Sequence, residues 1–195
     1  MITIVDSGGT NIASIKFALK RLGVEARLSH NAEVIKKSSH VILPGVGSAA
    51  TAMDRLKKYK LINTLQSLKQ PVLGICLGMQ LLFDFSEEGN VECLKLIPGK
   101  IKKLSKKNKL SMPHIGWNTF EIIKKNQLLK NITDNSYAYF VHSFSAPTTE
   151  HTAAITHYGK AFSAIIQYKN FFGTQFHPER SSEIGAMILQ NFLET

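Results

Sequence analysis

Pro71-Val72-Leu73-Gly74-Ile75-Cys76-Leu77-Gly78-Met79-Gln80 reads as a short buried strand that turns sharply towards a helix, with a cysteine at the turn. The apolar run before Gly74 suits a strand covered on both faces, and residues 79–83 are expected to continue as helix. Gly74 and Gly78 flank the cysteine in the G-x-[Ser/Cys]-x-G pattern of a nucleophile elbow, where a strained turn leaves little room for side chains. A sulfur placed there lies near free backbone N–H groups and the positive end of a helix dipole, both of which favour a thiolate. A small buried cysteine between two ordinary glycines is the competing reading of these five residues.

A thiolate nucleophile needs a base, and the base needs an acceptor to orient it. His177-Pro178-Glu179 supplies both side chains. Proline disfavours helix for the residue before it and removes a backbone donor, so an extended segment is expected. At a period of two, His177 and Glu179 would leave the backbone on the same side, about 6.5 Å apart. Taken alone, the tripeptide suits a surface turn after an apolar strand at 171–176. Taken with the elbow, it suggests a Cys76, His177 and Glu179 triad.

The 195 residues are enough for one good core, and a single domain over 1–195 is expected. Hydrophobic residues make up 44% and charged residues 19%, an ordinary balance for a soluble globular chain. The longest apolar stretch, residues 72–83, contains Gln80 and is too short to span a bilayer. The N-terminus shows no basic leader and runs straight into Ile2-Thr3-Ile4-Val5, so a cytoplasmic protein is expected. Cys76 and Cys93 are too few for a disulfide framework, and neither has metal-ligand spacing. The net charge of +10 raises the question of nucleic acid, but six lysines cluster within 100–109 without interleaved aromatic residues. That run reads as a strand entering a solvated turn, so neither a nucleic-acid nor a membrane partner is expected.

The first half alternates apolar runs with amphipathic ones: strands near 2–5, 25–29, 40–43 and 71–75, and helices at 11–22, 32–37 and 53–68, the last broken near Tyr59-Lys60. Such alternation implies parallel strands with helices covering the sheet. The second half is strand-rich, at 117–123, 138–141, 152–156, 161–167 and 171–176. A final helix at 182–193 starts from Ser181 or Ser182. A mixed sheet follows, parallel at its centre and antiparallel towards one side.

Pro44-Gly45-Val46-Gly47 sits between a strand and a helix, where its backbone N–H groups can serve a tetrahedral oxyanion, hold a phosphate, or simply make a tight turn. Asp6 to Asn11 reads as a turn and helix cap, without a catalytic role. Trp117 suits a core anchor and an interface plug equally. His142 reads as a strand-end histidine bonded to backbone, and Cys93 as inert.

Leu43 to Gly47, Gly74 to Gln80, Tyr139-Phe140-Val141-His142-Ser143 and Gly173 to Glu179 together resemble the triad-type, class I glutamine amidotransferases, over nearly the whole chain. Met79 and Pro113-His114-Ile115-Gly116-Trp117-Asn118 are similar to the branch formed by the glutaminase subunits of imidazole glycerol phosphate synthases. Other branches commonly carry histidine at the position of Met79 and lack the second segment. The resemblance implies a flavodoxin-like α/β fold, a mixed and mostly parallel sheet with helices on both faces, with no cofactor and no metal. It implies glutamine hydrolysis at Cys76, His177 and Glu179 through a cysteinyl thioester. Gly45, Val46, Gly47 and Leu77 would serve the oxyanion, and Gln80, Glu88, Ser143 and Phe144 the glutamine headgroup. Ammonia would pass to a cyclase partner, a (β/α)₈ barrel held as a heterodimer, with Asn11, Trp117 and Arg180 at the interface. At Ser7 and Thr10 the chain departs from the aromatic residue and glycine common in the family.

Overall fold

The computed structural model describes residues 1–8, 11–45, 47–105 and 110–195. The chain opens with β1 (Ile2–Val5), α1 (Ile12–Arg21), β2 (Ala26–Ser29), α2 (Ala32–Lys36) and β3 (His40–Leu43). It continues with α3 (Ala49–Lys58), α4 (Ile62–Gln66), β4 (Val72–Ile75) and α5 (Leu77–Gln80). β1 pairs in parallel with both β2 and β3, and β3 with β4. These strands are nearly continuous apolar runs because both faces are covered. Ile2, Ile4, Ile42, Leu73 and Ile75 face α1, while Val5, Val41, Leu43 and Val72 face α2, α3, α4 and α5.

The second half supplies β5 (Phe83–Ser86), β6 (Val91–Glu92), β7 (Ile97–Lys103), β8 (His114–Ile122), β9 (Ser136–His142) and β10 (Phe144–Ser145). β11 (Thr152–Tyr158), β12 (Lys160–Tyr168), β13 (Phe171–Thr174) and α6 (Ser182–Leu193) complete it. Among the described residues the large sheet has nine strands in the order β2-β1-β3-β4-β13-β12-β11-β8-β9. It is parallel from β2 to β13 and antiparallel from there to β9. α6 packs on the same face as α1 through Ile188, Leu189 and Phe192, so helices cover both faces as expected.

One expectation needs correction here. The helix expected to run through Phe83 stops at Gln80. Leu81, Leu82 and Phe83 are fully buried, and their carbonyls accept from the amides of Leu94, Lys95, Leu96 and Ile97. Those bonds take the acceptors that a longer helix would need. The same crossing seeds a second sheet, β10-β7-β5-β6, which the sequence pattern did not announce. β7 carries Lys100 to Lys103 with Ile97 and Ile101 buried, whereas Lys106 to Lys109 lie outside the described residues. Elsewhere the break at Tyr59-Lys60 is real, with Lys60 at φ 54° separating α3 from α4. Among the described residues no helix is long and apolar enough to cross a membrane.

Candidate active site

β4 delivers Cys76 to the C-terminal edge of the parallel strands, between β3 and β13. Its backbone stands at φ 50°, ψ −108°, a conformation that costs a non-glycine residue of order 1–3 kcal/mol and persists only where the surroundings enforce it. Here they do. The Cys76 amide donates to the Thr174 carbonyl at 2.7 Å, and its carbonyl accepts from the Gln80 amide at 3.1 Å. The chain passes so close that a Cβ on Gly78 would overlap the Leu43 carbonyl, and one on Gly45 the Ile75 carbonyl. The elbow is therefore locked against the β3 loop by backbone contact. α5 is a single turn, too short to bring the dipole of a full helix to the sulfur. The neighbouring charge that matters is on His177.

His177 leaves β13 in extended geometry, φ −97° and ψ 96°. The expected continuation of the strand to Glu179 does not occur. Pro178–Arg180 forms a 3-10 turn, closed by the Arg180 amide on the His177 carbonyl at 3.0 Å and the Ser181 amide on the Pro178 carbonyl at 3.1 Å. Proline with its fixed φ opens such a turn well. Glu179 thus folds back onto the imidazole, and His177 Nδ1 donates to Glu179 Oε1 at 2.8 Å. Asn11 Nδ2 donates to the same oxygen at 2.7 Å, while among the described residues Oε2 is buried without a partner. Asn11 stands before α1 but makes no side-chain cap; its amide serves Glu179, and its Oδ1 accepts from Arg180 Nη2 at 3.3 Å. Burial opposes a charged His177. The negative charge and hydrogen bond of Cys76 and the Glu179 carboxylate outweigh it and push the imidazole up to about 10.

Cys76 and His177 face a cavity of about 300 Å³. Gly45, Gly47 and Leu77 line it near the elbow, Gln80 and Glu88 from α5 and the loop after β5, and Ser143 and Phe144 from the segment after β9. Asn11 and Arg180 line it too. Val46 lies outside the described residues. Trp117 is not part of the cavity: 53% exposed, it meets Tyr139 edge-on at 5.9 Å, so the reading as a core anchor is wrong. Glu88 Oε2 accepts from the Ala49 amide at 2.8 Å.

Three residues at the site were given no role there from the sequence. Gln175 Nε2 donates to Cys76 Sγ at 3.6 Å, and its Oε1 accepts from Gln80 Nε2 at 3.0 Å. Ser181 stands at the start of α6 as expected, but its side chain makes no cap bond. Its hydroxyl donates to the His177 carbonyl at 2.7 Å and accepts from the Tyr139 amide at 2.9 Å. Together with the His177 amide on the Tyr139 carbonyl at 2.9 Å, these bonds engage both backbone groups of Tyr139 on the outer edge of β9, where another strand could otherwise pair. His142, expected only to satisfy a backbone partner, does so and also lines the cavity. Cys93 is buried and pushed up to about 11 by that burial, reinforced by Glu88, which suits an inert thiol.

A strained cysteine at a strand end, a histidine and carboxylate beside it and a cavity above are the parts that a thiol-dependent acyl-transfer centre requires, set on an open α/β sheet. The sequence model of the family described as class I glutamine amidotransferase matches residues 3–195, and the chain belongs to that family. It is 49% identical over 193 residues to the imidazole glycerol phosphate synthase subunit HisH of Haemophilus influenzae, covering 99% of this chain and 96% of that one. The HisH subunit of Pasteurella multocida is also 49% identical, with 99% and 97% covered. Among solved structures, one described as a glutamine amidotransferase matches with a TM-score of 0.77 at 16% identity, over 99% of this chain and 97% of that one. The PurLQS structure from Thermotoga maritima gives 0.72 at 16%, over 99% and 97%. Those two establish the fold.

Proposed function

We propose that this chain is the glutaminase subunit of an imidazole glycerol phosphate synthase, working in the cytoplasm as a heterodimer with a (β/α)₈ cyclase. The observation that carries the reading is the His177–Glu179 pair closed over Cys76 at the base of a substrate-sized cavity. The Cys76 thiolate attacks the carboxamide carbon of glutamine. The tetrahedral oxyanion is met by backbone N–H groups of Leu77 and the Gly45–Gly47 loop. As the C–N bond breaks, imidazolium His177 gives its proton to the departing nitrogen, so ammonia leaves and a glutamyl thioester remains. Neutral His177 then takes a proton from water, whose oxygen attacks the thioester. Collapse expels the Cys76 thiolate and releases glutamate. Glu179 keeps the imidazole oriented throughout, and Gln80, Glu88 and the Ser143-Phe144 backbone hold the headgroup.

Ammonia set free in this cavity must reach its acceptor before it meets bulk water, which favours a partner seated over the mouth. Asn11 and Arg180 stand at the cavity, and Trp117 shares an exposed apolar surface with Ile115 and Tyr137. These residues form the surface on which the cyclase docks. The test is glutamate release from glutamine by the chain alone and with the cyclase subunit plus its nucleotide ligand. Weak release alone and strong activation in the full mixture support the reading. Equal rates with and without the liganded cyclase would favour an independent hydrolase.

A further inference from the structure

β8 and β9 place His114 directly opposite His142, and His114 Nδ1 lies 2.9 Å from His142 Nε2. The chemistry at each end decides which atom donates. At one end His142 Nδ1 is 2.8 Å from the Phe144 carbonyl, which can only accept, so Nδ1 carries a proton. In a neutral ring Nε2 is then an acceptor, and His114 Nδ1 must donate to it. His114 Nε2 is left as an acceptor, facing Asn118 Nδ2 at 3.4 Å. At the other end, the Asn118 amide is oriented by backbone groups of fixed role. Its Nδ2 donates to the His157 carbonyl at 3.1 Å, and its Oδ1 accepts from the Thr119 amide at 2.9 Å. Read from either end, the chain Asn118 to His114 to His142 to Phe144 has the same proton arrangement.

The rings are held as firmly as the protons. His114 stacks between Tyr158 at 4.0 Å and Phe140 at 5.0 Å, and His142 meets Phe162 edge-on at 5.0 Å. Burial holds His114 down to about 4. It holds His142 down to about 3, against the bond to Phe144 and with help from His114 and His177. Both rings are therefore neutral near pH 7. The Phe144 carbonyl at the end of the chain also accepts from Gln80 Nε2 at 2.7 Å. The Ser143 carbonyl accepts from the Leu104 amide at 2.8 Å. Both carbonyls of the cavity wall are thus committed to the protein, which fixes how residues 143 and 144 face a ligand.

We propose that His114 and His142 are positioning residues for glutamine: a proton-ordered chain from Asn118 holds the Phe144 carbonyl and so keeps the Val141–Phe144 wall in its substrate-gripping shape. This rests on the glutaminase reading above. It gives the Pro113 to Asn118 segment a task in substrate binding beside any in docking.

A glutamine-shaped diazoketone, 6-diazo-5-oxonorleucine, separates grip from chemistry in the full chain. Its half-saturating concentration for alkylating Cys76 reports the wall, and its limiting rate reports the nucleophile. His142→Leu is expected to raise the half-saturating concentration about tenfold, the loss of one buried hydrogen bond, while the limiting rate stays within about twofold. His142→Asn, whose amide can still donate to the Phe144 carbonyl, should recover most of the loss. An unchanged half-saturation in His142→Leu, with saturable labelling of the wild type, would overturn the proposal and leave the glutaminase reading intact. A fall in limiting rate alone would overturn it as well, by moving His142 to the nucleophile. No labelling and no glutamate release by the wild type would sink the glutaminase reading and this proposal with it. Should His142→Leu not fold, ¹⁵N NMR of the wild-type histidines decides the chain. Both rings should be Nδ1–H tautomers at neutral pH, and an Nε2–H tautomer at either would contradict it.

Discussion

The parallel and antiparallel halves of the large sheet reach the same sulfur by different physical means. On the parallel side, Cys76 is placed by backbone packed against backbone. The positions that a Cβ would take on Gly45 and Gly78 are filled by the carbonyls of Ile75 and Leu43, and the residue between β4 and α5 is held at positive φ. On the antiparallel side, placement is by side-chain hydrogen bonds. These join His177 to Glu179, Glu179 to Asn11, Gln175 to Gln80, and His114 to His142. Steric placement fails abruptly, because packed backbones cannot yield by an ångström. Hydrogen-bonded placement fails by degrees, with about 1 kcal/mol at stake for each neutral bond. The cysteine is held rigidly, whereas the histidine–carboxylate pair and the cavity wall are held adjustably.

Four substitutions or conditions test that contrast. Cys76→Ala should lower glutamate release by more than about 10⁴-fold, while a cyclase reaction driven by added ammonia continues; loss of both activities would give this chain a task beyond supplying ammonia. Gly78→Ala should cost about 3 kcal/mol in urea unfolding, because the new methyl group would collide with the Leu43 carbonyl and crowd that of Pro44. A variant with unchanged stability would show that the elbow is softer than the contacts imply. Asn11→Ala should reduce kcat of the isolated chain about tenfold by loosening Glu179. An all-or-none loss there would place the hydrogen-bonded side in the same class as the steric one.

The fourth test concerns pH. The folded-state value of His177 is raised from 6.5 to about 10, so its contribution to stability is full below 6.5 and disappears as pH climbs through about 10. The stability of the wild type relative to His177→Gln, followed by thermal melts, should therefore fall across that interval. A difference that grows with pH would mean that the imidazole is neutral in the folded protein.

The elbow was legible because its signature is contiguous in sequence: an apolar strand, two glycines where backbones touch, and a cysteine between them. The same holds for the strand–helix alternation of the first half, whose side chains face two cores at a period of two. His177 and Glu179 were legible as partners but not in their geometry, since Pro178 is compatible with an extended segment and with a turn. The second sheet was not legible. β5 and β6 are four and two residues long, and their pairing depends on Leu94 to Ile97 crossing the end of α5. The His114–His142 pair was equally hidden, because only the register of β8 on β9 brings two distant histidines together.

The central claim is that Cys76 carries the glutamyl group. The most direct measurement is peptide mass analysis of the chain after acid quenching during glutamine turnover with the cyclase present. A glutamyl thioester on the Cys76 peptide, absent from the Cys93 peptide and from Cys76→Ala, is the predicted result. Sustained glutamate release with Cys76 unmodified, and still seen in Cys76→Ala, would contradict it.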